Sequence, residues 1–229
     1  MRQLKINPSL NNARKVRLNR ASVAVELQSL IRQWVFTRKL VAGDRINEKS
    51  LAEKLGISRG PIREAIQALR QEGLVEIIPN RGAFLKKLSL KQIIDLYDVM
   101  AGLGYTAGRL LPSRISEDHL IRLFNLHEKM KDSISRDDPL GFFKHNQVFH
   151  DTLFKAARNE ALLETMRNME KRMMLYLHRE ATTSWMLEDS NKQHHEILSN
   201  IASGNSEGAA MSIFQHVLFG KQRTIDQWE

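Results

Sequence analysis

Between Glu48 and Leu85 the chain runs through two helical hydrophobic patterns and then two strand-like ones, and this constrains the fold more than any other feature. Leu51, Ala52 and Leu55 recur at helical spacing after Glu48, and Gly56-Ile57 then interrupts the pattern. A second helix is predicted from Arg59 to about Gln71, with Ile62, Ala65, Ile66 and Leu69 on its inner face. Gly73 stands where a left-handed residue would close that helix. Leu74 to Ile78 reads as a strand, Pro79-Asn80-Arg81-Gly82 as a turn, and Ala83 to Lys86 as a second strand. The order is helix, tight turn, helix, two-stranded hairpin: a winged helix-turn-helix.

The flanking segments set this unit in a larger plan. Residues 1–20 carry Arg2, Lys5, Arg14, Lys15, Arg17 and Arg20 with few apolar neighbours, and read as a flexible basic arm. From Ser22, Val23, Leu27, Leu30, Ile31, Trp34 and Val35 recur as one helix face, in a helical region that Gly43 closes. After Ser89 the pattern is helical throughout, with helices expected near 90–110, 116–134, 138–157, 160–180, 188–203 and 206–227, broken at Pro112, Pro139 and Gly204. Such short connections make successive helices antiparallel neighbours. The fold class is therefore mainly α: a winged helix-turn-helix with a two-stranded wing over 21–88, then an all-α antiparallel helical bundle over 89–229, with the boundary near Lys87 to Leu90.

Charge separates the same two parts. The first ninety residues hold 18 Lys and Arg against 7 Asp and Glu, whereas the rest hold 17 against 19, so the net +9 comes from the first part. A basic module joined to a near-neutral one fits a polyanion binder with a separate second task. With no cysteine, disulfides and thiolate metal sites are excluded. The N-terminal residues lack the apolar run of a signal peptide, and no stretch is apolar for long enough to span a bilayer. The expectation is a cytoplasmic protein without a membrane partner.

On the second helix of the motif, Arg59, Arg63, Gln67 and Arg70 gather opposite the apolar face. A helix fits the major groove of DNA, where guanidinium grips guanine and amides read adenine. Ser58 is placed as the N-cap, with Pro61 in the first turn, where its missing N–H costs nothing. Arg81 beside Gly82 suits entry into a minor groove. The segment Leu51 to Ile66, with Leu69, Glu72-Gly73-Leu74-Val75, Pro79 and Arg81-Gly82, resembles the GntR family of bacterial regulators. That resemblance implies that Arg59 and Arg63 contact bases or nearby phosphates and that Ser58 and Pro61 lie at the DNA surface. It also implies that Lys49 holds a phosphate, that Arg81 and Gly82 form the wing contact, and that a homodimer binds a palindromic operator.

In the helical part, Phe142, Asn146, Phe149, His150, Leu153 and Ala157 form one stripe about 100° wide. His194 shares a face with Ile197, Leu198 and Ile201, and His216 with Ala209, Ile213 and Gly220. An isolated inward histidine is usually a satisfied core residue; three on three bundle helices can converge on a metal ion. His119, His127, His145, His178 and His195 read as surface residues, and Phe142, Phe143, Phe149 and Phe154 as core or pocket wall. This part resembles the FCD effector domain, which follows the winged helix in one large GntR subgroup. The resemblance implies a divalent metal such as zinc or nickel on His150, His194 and His216, beside a pocket for a small organic acid. The subgroup's fourth ligand is an aspartate, where this chain has Asn146; its pocket arginine and glutamate are here Met100 and Gly104.

The function expected is a ligand-responsive regulator of a metabolic operon, and the resemblance implies a repressor. The competing reading is a metal-dependent hydrolase built on the histidine cluster, although no His-Glu-x-x-His spacing is present to supply a general base.

Overall fold

A computed structural model describes residues 20–173 and 183–228. Residues 1–19 of the expected arm, and His178, lie outside the described residues. The chain divides into two compact units, Met1–Leu88 and Ser89–Glu229.

In the first unit α1 (Arg20–Phe36) packs on α3 (Arg59–Gln71), while α2 (Glu48–Leu55) precedes α3 across a tight turn. Asn47 caps α2 by accepting from the Ser50 amide at 3.0 Å, and Gly56 ends it at φ 65°. The core lies between Leu27, Ile31 and Trp34 of α1 and Ile62, Ala65, Ile66 and Leu69 of α3, all buried. At the end of α3, Gly73 takes the left-handed conformation at φ 78°, which turns the chain into the sheet. Helix α1 stops at Phe36 rather than continuing towards Gly43; Arg38 already has a φ of 53°.

The wing has three strands, not the two expected. β1 (Arg45–Ile46), β2 (Val75–Ile78) and β3 (Gly82–Leu85) form an antiparallel sheet in the order β1-β3-β2, with Arg45 opposite Phe84 and Ile78 opposite Gly82. Two residues are too few to display a period-2 pattern, so β1 is set by pairing: the Gly43 amide reaches the Leu85 carbonyl and the Leu85 amide reaches Asp44, at 2.9 and 2.8 Å. The hairpin turn is closed by the Arg81 amide on the Ile78 carbonyl, with Asn80 at φ 60°.

The second unit contains α4 (Leu90–Arg114), α5 (Glu117–Ser135), α6 (Pro139–Ala156), α7 (Glu160–Met173), α8 (Ser184–Ala202) and α9 (Ser206–Asp226). Ser89 and Gln92 cap α4 reciprocally, each side chain accepting from the other's backbone amide. Pro112 does not break α4 where a break is expected; it sits in the last turn, and the helix runs on only to Arg114. A proline that close to the end removes one hydrogen bond and leaves little helix to disrupt. Helix α8 starts at Ser184, four residues ahead of expectation, and α7 is described only to Met173.

Along α4 and α9 the backbones meet directly. A Cβ on Gly108 would overlap the Ala210 backbone, and one on Gly104 would lie 2.8 Å from the Ile213 Cγ2. Among the described residues no helix is long and apolar enough to cross a membrane.

Candidate nucleic-acid interface and metal centre

The exposed face of α3 carries the cations. Arg59, Arg63, Gln67 and Arg70 are all exposed, whereas Pro61, Ile62, Ala65, Ile66 and Leu69 are buried. Pro61 therefore departs from its expected place at a DNA surface: its ring packs inward and stiffens the first turn. Ser58 occupies the N-cap position with an extended backbone, but its side chain makes no capping hydrogen bond. Its exposed hydroxyl stands beside the helix N-terminus, where the Arg59 and Gly60 amides have no partner within the helix, and this end favours an anion.

Arg63 is engaged in the free protein: its Nε donates to Glu48 Oε2 at 2.9 Å, linking α3 to the first residue of α2. Arg63 is 65% exposed, and an ion pair so open to water is weak enough to be exchanged for another anion. The Arg59 side chain has no hydrogen bond or ion pair among the described residues. Lys49 is exposed and lies 4.0 Å from Glu53. At the hairpin, Arg81 stacks over Phe84 at 5.6 Å from the ring centroid, and Gly82 has a φ of 101°. A Cβ at Gly82 would lie 3.6 Å from the Arg45 guanidinium, so Arg45 adds a second wing cation. No sequence pattern singles out Arg45. The Arg-Ile pair between Gly43 and Asn47 is too short to identify as a strand.

In the second unit three histidines converge. His150 on α6, His194 on α8 and His216 on α9 each offer a ring nitrogen, all within 4.8 Å of one another. Ring centroids are 5.3 Å apart for His150 and His194, 5.2 Å for His150 and His216, and 4.6 Å for His194 and His216. Phe149 packs against His194 at 4.7 Å and walls the cluster with carbon. Two nitrogens bound to one ion at about 2.1 Å lie at most about 4.2 Å apart, so small side-chain rotations close the set around a cation.

The chemistry of the donors fits a metal. Both His194 ring nitrogens and the Asn146 Oδ1 are buried without a hydrogen-bond partner among the described residues. Unpartnered buried donors and acceptors are costly, and a cation would satisfy the lone pairs. Burial holds the His150 pKa down to about 4. Burial, reinforced by the neighbouring histidines and Arg223, holds His194 well below its ordinary value; for His216 the causes after burial are His150 and Arg223. All three rings are thus neutral near pH 7, the form that binds metal.

Of the histidines read as surface residues, His195 is exposed and His119 and His145 are half-buried, but His127 is buried. Its Nε2 lies 3.2 Å from the Asn191 carbonyl, so α8 covers it and satisfies it as an ordinary core histidine. Met100 and Gly104 are both buried on α4, and a Cβ at Gly104 would lie 2.8 Å from the Ile213 Cγ2, so a side chain there would have to displace Ile213.

Comparison with known proteins places both units. The model for bacterial regulatory proteins of the gntR family matches residues 24–85, and the FCD domain model matches residues 95–219. The Nta operon transcriptional regulator of Aminobacter aminovorans is 31% identical over 188 residues, covering 81% of this chain and 84% of the relative. The probable D-xylose utilization operon transcriptional repressor of Paenarthrobacter nicotinovorans is 27% identical over 206 residues, covering 90% of each. Among solved structures, E. coli McbR/YncC superposes with a TM-score of 0.79 at 20% identity, covering 90% of this chain and 99% of its own. A GntR regulator from Rhodococcus sp. RHA1 gives the same TM-score and identity, covering 91% and 100%.

Proposed function

Because the chain belongs to the GntR family of bacterial regulatory proteins and carries an FCD domain, we propose that this DNA-binding transcription regulator is a repressor of a metabolic operon that responds to a small organic acid. The family and its relatives are transcription regulators and not enzymes, which sets aside the hydrolase reading. The observation that carries the proposal is the exposed cationic face of α3 beside a three-stranded wing.

In this reading Arg59 and Arg63 reach base edges or nearby phosphates, Ser58 and Lys49 hold phosphates, and Arg81 with Gly82 contacts the minor groove. A homodimer presents two such faces to a palindromic operator in the cytoplasm. In the second unit Asn146, His150, His194 and His216 hold zinc or nickel, metals suited to imidazole donors. The bound ion supplies positive charge for a carboxylate. The field of Arg223, felt at His194 and His216, favours an anion in the same place. An acid that prefers one arrangement of the dimer shifts DNA affinity by that preference and no more.

The test is an anisotropy titration of the full chain against its own upstream DNA, with and without a panel of organic acids. Sequence-specific binding at moderate salt, altered by one of the acids, is the expected result. Binding that ignores sequence overturns the regulator reading. Specific binding that no acid changes overturns the effector part alone.

A further inference from the structure

A divalent ion held by these residues would meet a charge problem. Three neutral imidazoles and an amide leave a divalent ion with its full charge in a buried place, where a carboxylate ligand would offset half of it. The structure holds a carboxylate one step removed. Gln193 Oε1 lies 2.8 Å from His216 Nδ1, and Gln193 Nε2 donates to Asp189 Oδ2 at 2.8 Å.

The direction of this chain of bonds follows from what each group can do. A carboxylate only accepts, so the amide nitrogen of Gln193 must face Asp189 and its oxygen must face the histidine. An amide oxygen only accepts, so His216 must carry its proton on Nδ1. The lone pair is then on Nε2. Asp189, Gln193 and His216 are thus ordered by hydrogen bonding alone, with no alternative tautomer that satisfies every partner.

We propose that Asp189, acting through Gln193, is the anionic partner of the metal centre: it fixes His216 in its Nε2-ligating form and supplies negative charge that Asn146 does not bring. Asp189 and Gln193 are positioning residues and not ligands. Their effect is that of the outer carboxylate partners of metal-bound histidines, which orient the ring and raise its basicity. Asp189 and Gln193 stand one turn apart on α8, the helix that also carries His194, so a single helix holds one ligand and orients another. The inference rests on the metal reading of the histidine cluster.

The experiment measures Zn²⁺ affinity of the full-length protein by competition with a chromophoric chelator. It also reads the His216 tautomer in the metal-free protein from its ¹⁵N ring shifts. Asp189→Asn and Gln193→Leu are each expected to weaken Zn²⁺ binding by about 10–100-fold. Gln193→Glu, which puts a carboxylate directly on Nδ1–H, is expected to keep the affinity and the tautomer, and Gln193→Leu to lose the Nδ1–H preference. Circular dichroism of each variant reports folding. Wild-type affinity in both Asp189→Asn and Gln193→Leu overturns the relay while leaving the metal site standing. A wild-type protein that binds no Zn²⁺ overturns the metal reading, and the relay with it.

Discussion

Arg59 and Arg63 share a helix face but differ in the free protein, since Arg63 is held by Glu48 and Arg59 meets no charged partner among the described residues. Arg59→Ala should cost about 1–3 kcal/mol of operator binding and relax base preference, whereas Lys49→Ala should weaken binding to most sequences alike. Competition anisotropy with operator and scrambled duplexes checks this; equal losses on both duplexes for Arg59→Ala would remove it from base readout. A second residue, Glu170 on α7, has its pKa pushed up to about 7, first by burial and then by Asp151. The unfolded chain releases this proton near pH 4.5, so between there and about pH 7 the folded state binds more protons. Stability from this group is therefore intact below that window and is lost as pH rises through it. Glu170→Gln should raise the melting temperature at pH 8 and leave it unchanged at pH 4, in paired thermal scans. The three histidines run the other way: their depressed values make the metal-free protein lose stability as pH falls below about 6.5.

At the scale of elements, much of the structure could be read from periodicity. Helices α2 and α3 begin and end where their caps and glycines indicate, because Asn47, Gly56 and Gly73 act locally. The converging histidines were legible for a related reason: each shares a face with apolar neighbours that must turn inward. What depends on partners in space was not legible. Strand β1 exists through its bonds to β3, and Pro61 is buried by a packing direction that the first-turn preference for proline does not encode. Nothing in the hydrophobic pattern of α8 singles out Asp189 and Gln193, and only the placement of α9 brings His216 to them. The seam between α4 and α9 gives the prediction proper to this scale. Gly108→Val places atoms where the Ala210 backbone stands, and should destabilise the second unit by about 1–3 kcal/mol or more. Urea denaturation should show this as a lower midpoint, and a midpoint equal to wild type would mean that the two helices separate at little cost.

For the molecule as a whole, the two units split charge and chemistry between them. The cations that suit DNA lie in the first, and the neutral imidazoles that suit a metal lie in the second. If an acid held in the second unit lowers operator affinity by some factor, linkage requires operator DNA to lower the affinity for that acid by the same factor. Calorimetric titration of the acid into protein with and without saturating operator measures the second factor, and anisotropy measures the first. Unequal factors would show that the acid acts on a different population from the one that binds DNA.

The glycine seam also restricts where larger side chains can arise. A side chain at Gly108 would enter the Ala210 backbone and one at Gly104 would displace the Ile213 side chain, so the first position cannot take a larger residue without parting α4 from α9, nor the second without repacking Ile213. Changes of side chain are thereby channelled to the other faces of these helices, where they alter a local contact before they alter the frame.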